Sequence, residues 1–138
     1  FPELDMDKVI RMCLIHDLGE CFTGDIPTFL KTKEDEEKED ETLAAWVASL
    51  PEPYGTELAN LYAEMNAQQT GEARLYKTLD KLEAVIQHNE ADIRTWEPHE
   101  YELNLTYAND IVAGTPYLEQ LREAIRDDTK QKIVEAQT

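Results

Sequence analysis

Apolar residues recur along this chain at intervals of three and four, and no stretch alternates apolar with polar as a half-buried strand would. The pattern predicts an all-α fold. Val9, Ile10, Cys13 and Leu14 form a stripe on a first helix from about Asp5 or Asp7 to about Leu18, and its early acids suit a helix N-terminus. Gly24-Asp25-Ile26-Pro27 reads as a turn, because Gly permits unusual φ and Pro27 pushes Ile26 toward extended geometry. The stretch 31–42 is almost wholly charged and reads as a solvated face or mobile loop leading into a second helix. That helix carries Leu43, Trp46, Val47 and Leu50 and ends at Pro51-Glu52-Pro53. Leu58, Leu61 and Met65 mark a third helix. The fourth is the best defined, with Thr70 as N-cap and Leu75, Leu79, Leu82 and Ile86 as its apolar stripe. Two weaker helices follow, about Glu100 to Ala113 and, after Thr115-Pro116 with Pro at the first helical position, about Tyr117 to Val134.

Charge narrows the function classes. The 138 residues carry 13 Lys+Arg against 30 Asp+Glu, a formal charge of −17. Such an excess opposes a sequence-independent grip on DNA or RNA, which needs a basic face, and it repels anionic membranes. No apolar run of about 18 residues exists to span a bilayer. The length suits one domain. Cys13 and Cys21 form no CxxC pair, so a reduced, cytoplasmic setting is expected. The chain opens Phe1-Pro2 without an initiator Met, which reads as a fragment.

The chemistry gathers at the end of the first helix. His16, Asp17, Glu20 and Asp25 are metal-competent or proton-transferring groups crowded beside an apolar segment. Helical spacing lets Asp17 and Glu20 (i, i+3) and His16 and Glu20 (i, i+4) converge on one cleft. An imidazole with carboxylates is a mixed N/O donor set that suits a hydrolytic divalent ion, with further ligands from another element. The plainer alternatives are a His16 satisfied by a backbone carbonyl and an Asp17 paired with Arg11 or Lys8. On the fourth helix, Asp80 follows Leu79 at the edge of the buried face and needs a partner, which Lys77, Lys81 or a metal could supply.

Together the two segments resemble the HD-domain metal-dependent phosphohydrolases, in particular the 5′-nucleotidase-like (5′-deoxynucleotidase) branch. Its pattern runs HD-x-x-E-x-x-x-x-D-[ILV]-P and then E-A-x-x-x-x-x-x-D-K-[LM]-E. His16-Asp17, Glu20, Asp25-Ile26-Pro27, Glu72-Ala73 and Asp80-Lys81-Leu82-Glu83 fall on it in order. The resemblance implies one HD-type helical bundle over 1–138, with its motif core at 9–87 and C-terminal helices at 100–134. The family draws its first ligand from an upstream His, and no His precedes His16, so either the family's N-terminal helices are missing here or the site is incomplete; the lack of an initiator Met favours the first.

By the same resemblance His16, Asp17 and Asp80 bind a divalent ion (Mn²⁺, Co²⁺, Mg²⁺, Zn²⁺, Fe²⁺ or Ni²⁺), while Glu20 and Asp25 handle the attacking water and the substrate. Lys77 and Lys81 are added on charge alone as phosphate-neutralising groups. His88, His99, Trp46 and Trp96 have no place in the pattern. The expected activity is removal of phosphate from (deoxy)ribonucleoside 5′-monophosphates by a cytoplasmic enzyme, a homodimer on the family's precedent, with no nucleic-acid polymer and no membrane as partner. The alternatives are an HD-type hydrolase of nucleoside triphosphates, alarmones or cyclic nucleotides, and a non-catalytic metal-binding helical interaction domain.

Overall fold

The computed structural model describes residues 1–26 and 30–136, and among these there is no strand. Pro27, the last residue of the expected turn, lies outside the described residues. The chain divides into two compact units, 1–76 and 77–138, and the division falls within one helix.

The first unit contains α1 (Met6–Ile15), α2 (Glu20–Thr23), α3 (Lys33–Ala48), α4 (Tyr54–Ala67) and the start of α5 (Gly71–Glu90). Asp5 begins α1 by accepting a hydrogen bond from the Lys8 amide at 3.0 Å. Its own N–H donates to Glu72 at 3.0 Å, and a Cβ on Gly71 would lie 2.6 Å from Leu4 Cδ2. The two helix starts are thereby held together, and a side chain at position 71 would have to displace Leu4. Val9 and Met12 are buried, whereas Ile10 and Leu14 from the expected stripe are 54% and 77% exposed. The inward face is rotated from that stripe because a short helix with apolar residues on several sides does not specify its own buried face.

The charged run is not a loop. From Lys33 onward it forms the first turns of α3, opened by a capping box in which Thr32 and Asp35 bond each other's backbone amides. Most of it is solvated, as expected, but Glu39 turns inward with only 15% of its side chain exposed. Gly55 lets α4 start directly against the end of α3: a Cβ there would lie 3.0 Å from the Leu50 carbonyl and 3.2 Å from that of Val47. Gln68 closes α4 in the left-handed region at φ 52°, and its Nε2 donates to the carbonyls of Met65 and Ala73. Thr70 caps α5 as its sequence predicts, its hydroxyl accepting from the Ala73 amide at 3.2 Å.

The second unit holds the rest of α5, a 3₁₀ turn at Ile93–Thr95, α6 (Glu100–Thr106), α7 (Asn109–Val112) and α8 (Pro116–Glu135), which starts on Pro116 as expected. Leu82, Val85, Trp96, Val112, Leu118 and Ile125 form its core, while Ile86 is 39% exposed. The helix expected over Glu100 to Ala113 is split, with Ala108 at φ 64°. The cause lies on α8. Arg122 donates to the carbonyls of Asn104 and Tyr107, both at 2.8 Å, and Arg126 to that of Leu105 at 3.1 Å. These cations satisfy the last turn of α6, where a helix end carries its negative pole.

Candidate functional site

The motif His-Asp pair stands where α1 runs out. His16 is the C-cap of α1, and the chain tightens into successive i→i+3 turns: Leu18 N–H to Ile15 at 3.1 Å, Glu20 to Asp17 at 3.0 Å, Cys21 to Leu18 at 3.2 Å and Phe22 to Gly19 at 3.0 Å. The first helix is thus shorter than its sequence suggests, and α2 continues it after a break. The tightening has a chemical result, since at three residues per turn positions i and i+3 eclipse, so Asp17 and Glu20 share one side.

His16 is anchored through Nδ1, which donates to the Cys13 carbonyl at 2.8 Å. That bond directs Nε2 outward, and Nε2 lies 3.0 Å from Asp17 Oδ2. The carbonyl partner expected as the plainer reading of His16 is therefore present. It is also how a metal-ligating imidazole is usually held, with one nitrogen bonded behind and the other facing the ion. Two acceptors in such proximity share either a proton or a cation. Ligands bound about 2.1 Å from one ion and roughly at right angles stand about 3.0–3.4 Å apart, so the His16–Asp17 pair fits an ion's donor set. Tyr62 supports the turn from α4, its hydroxyl donating to the Ile15 carbonyl at 2.8 Å; burial pushes its phenol up to about 12, so it stays a donor.

Beside this pair lies a cluster of acids around one lysine. Glu20 has its carboxyl raised above the usual range, first by burial and then by the negative charges of Asp17 and Asp25, against the lowering influence of Lys31. Lys31 Nζ is 2.7 Å from Glu39 Oε2 and 3.9 Å from Glu20 Oε1, with 17% of its side chain exposed. Its bond to Glu39 is the main reason its ammonium is held above the ordinary lysine range. Glu39 rests directly on Gly19, where a Cβ would lie 2.8 Å from Glu39 Cγ. Asp25 itself is exposed.

His16 and Glu39 both border a cavity of about 430 Å³ walled by α3 and α4, among others by Leu43, Val47, Tyr62 and Met65, with Tyr76 at its edge. The volume lies within the range of small-molecule sites, about 300–1,000 Å³, and the wall is mainly apolar with a few polar groups.

Lys31, Glu39 and Tyr62 were not singled out in the sequence. For Glu39 a signal exists: reading back from Leu50 through Val47 and Leu43 in steps of three and four reaches position 39 on the same helix face.

Asp80 belongs to α5 in the second unit, where Lys77 donates to its Oδ2 at 2.7 Å. Lys81, next to it, places its Nζ 5.6 Å from the centre of the Tyr107 ring. Among the described residues no three His, Cys, Asp or Glu side chains are gathered closely enough to hold an ion by themselves.

This all-helical frame with a His-Asp pair at a helix end is that of the HD domain, and a family model described as HD domain matches residues 1–126. The chain belongs to that family. It is 34% identical over 89 residues to the human 5′-deoxynucleotidase HDDC2 and 35% identical over 102 residues to the 5′-deoxynucleotidase HDDC2 of Dictyostelium discoideum, alignments covering 63% and 72% of this chain. It spans about half the length of these curated relatives, 44% and 52% respectively. Among solved structures, a predicted metal-dependent phosphohydrolase from Magnetospirillum magnetotacticum superposes with a TM-score of 0.71 at 28% identity, covering 94% of this chain and 67% of that one. The expected family and the all-α fold class are borne out.

Proposed function

We propose that this chain carries the catalytic core of a divalent-metal-dependent phosphohydrolase that removes phosphate from (deoxy)ribonucleoside 5′-monophosphates. The observation that carries the reading is the His16–Asp17 pair, oriented from behind by the Cys13 carbonyl, in a chain whose curated relatives are named 5′-deoxynucleotidases. His16, Asp17 and Asp80 are the residues that would hold the ion, whether Mn²⁺, Co²⁺, Mg²⁺, Zn²⁺, Fe²⁺ or Ni²⁺. What the ion supplies when bound is Lewis-acid charge at the phosphoryl group.

The chain's own residues do the rest. Glu20, with its carboxyl held above the ordinary range, is suited to take a proton from the attacking water near neutral pH, and Asp25 assists in placing water and substrate. The cavity beside His16 is of a size to hold the nucleoside. Lys77 and Lys81 are assigned on charge alone as neutralisers of phosphate. In this reading the enzyme acts as a homodimer in the cytoplasm. Among the described residues no helix is long and apolar enough to cross a membrane.

The test is release of inorganic phosphate from a panel of nucleoside monophosphates with Mn²⁺, Co²⁺, Mg²⁺ and Zn²⁺ in turn. Pyrophosphate or tripolyphosphate from a nucleoside triphosphate would instead favour the related triphosphohydrolase chemistry. Asp80→Ala should weaken Mn²⁺ binding at least about 10–100-fold while leaving the helical circular dichroism intact, and unchanged affinity would remove Asp80 from the ligand set.

A further inference from the structure

We propose that Lys31, held by Glu39, is the cation that receives the substrate's phosphate, an inference that rests on the phosphohydrolase reading and assigns the group within it that meets the anion. A phosphomonoester approaching this protein enters the field of a chain with a formal charge of −17 and, at this site, of Asp17, Glu20, Asp25 and Glu39. Binding an anion there requires a local reversal of sign beside Glu20. Lys31 supplies it, with Nζ 3.9 Å from Glu20 Oε1.

Three further features suit it to that task. Glu39, which fixes Lys31 at 2.7 Å, also borders the cavity that His16 borders, so the ammonium is tethered to the wall of the same space. An ammonium has three N–H donors, and the Glu39 bond uses one, while Glu20 at 3.9 Å is beyond hydrogen-bond range. The stem is already ordered, with 17% of the side chain exposed, so gripping an anion costs less conformational entropy than it would for a solvated lysine. By contrast, Lys77 is 42% exposed and bonded to Asp80 at 2.7 Å.

The experiment follows inorganic phosphate binding by calorimetry in the wild-type chain, Lys31→Met, Lys31→Arg and the control Lys33→Met, whose parent residue is exposed on α3. In parallel, KM and kcat are measured for deoxyadenosine monophosphate with Mn²⁺. Lys31→Met should weaken phosphate about tenfold and raise KM by a similar factor, Lys31→Arg should restore part of both, and Lys33→Met should change neither. Wild-type phosphate affinity retained in Lys31→Met, or an equal loss in Lys33→Met, would overturn the assignment. Should Lys31→Met fail to fold, Lys31→Arg and Glu39→Gln decide: wild-type phosphate affinity in both counts against Lys31, and a weakening in Glu39→Gln counts for it. Absence of turnover in a wild-type chain that binds phosphate through Lys31 would count against the phosphohydrolase reading and leave the lysine's role standing.

Discussion

In the first unit Glu20 shares its surroundings with Asp17, Asp25 and Glu39 around Lys31, whereas in the second unit Arg122, 1% exposed, has the charges of Arg126 and Glu123 near it but donates directly to two backbone carbonyls. The first cluster brings like charges together and raises a carboxyl toward protonation. In the second, burial lowers the guanidinium from its ordinary range, yet the group donates to two carbonyls at 2.8 Å that would otherwise end α6 unsatisfied. A polar group that satisfies its neighbours belongs to the fold. A group held among repelling neighbours, at a cost in stability, is what chemistry at a site requires.

The strongest test of that contrast is Glu20→Gln. Turnover should fall about 10²–10⁴-fold with Mn²⁺ affinity retained, since the amide keeps the shape and loses the proton-accepting oxygen. Stability should move the other way. A carboxyl raised above its ordinary value of 4.5 in the folded state contributes stability in full below that value and loses it as pH rises through the folded value. At pH 7 the ionised Glu20 therefore weakens the fold, and Glu20→Gln should melt higher than wild type at pH 7 and no higher at pH 4. An equal shift at both pH values would break the comparison.

Arg122→Met should do the reverse. Losing both donors leaves buried carbonyls of Asn104 and Tyr107 unsatisfied and should cost about 2–4 kcal/mol in urea denaturation, with Mn²⁺ affinity of the folded protein unchanged. A smaller effect is expected from Gly19→Ala. Gly19 is already helical at φ −59°, so alanine brings no backbone strain and some helical gain, but its Cβ would displace Glu39 from 2.8 Å. Stability should change by less than about 1 kcal/mol, while phosphate affinity falls several-fold as Lys31 loses its tether. Unaltered phosphate binding would mean that Glu39 does not place Lys31.

Much of the fold was legible because helices advertise themselves locally. Thr70 and Pro116 mark the starts of α5 and α8, and the spacing of Leu58, Leu61 and Met65 predicts α4. The motif residues His16, Asp17, Glu20 and Asp25 were legible for a different reason, since their order and spacing match a family pattern. The split at Ala108 and the inward turn of Glu39 were not: the first depends on arginines from α8, and the second on the absence of a side chain at Gly19.

The sequence by itself determined the all-helical class, the helix caps and the set of candidate site residues, because periodicity, capping and motif spacing are set by neighbours within a few positions. Only the tertiary structure decided which side of α1 is buried, that the chain tightens after Ile15 so that Asp17 and Glu20 share a side, and that Lys31 reaches both Glu20 and Glu39. Those features depend on which segments come to lie against one another. Such contacts join residues far apart in the chain, and their energies do not appear in any short window of sequence.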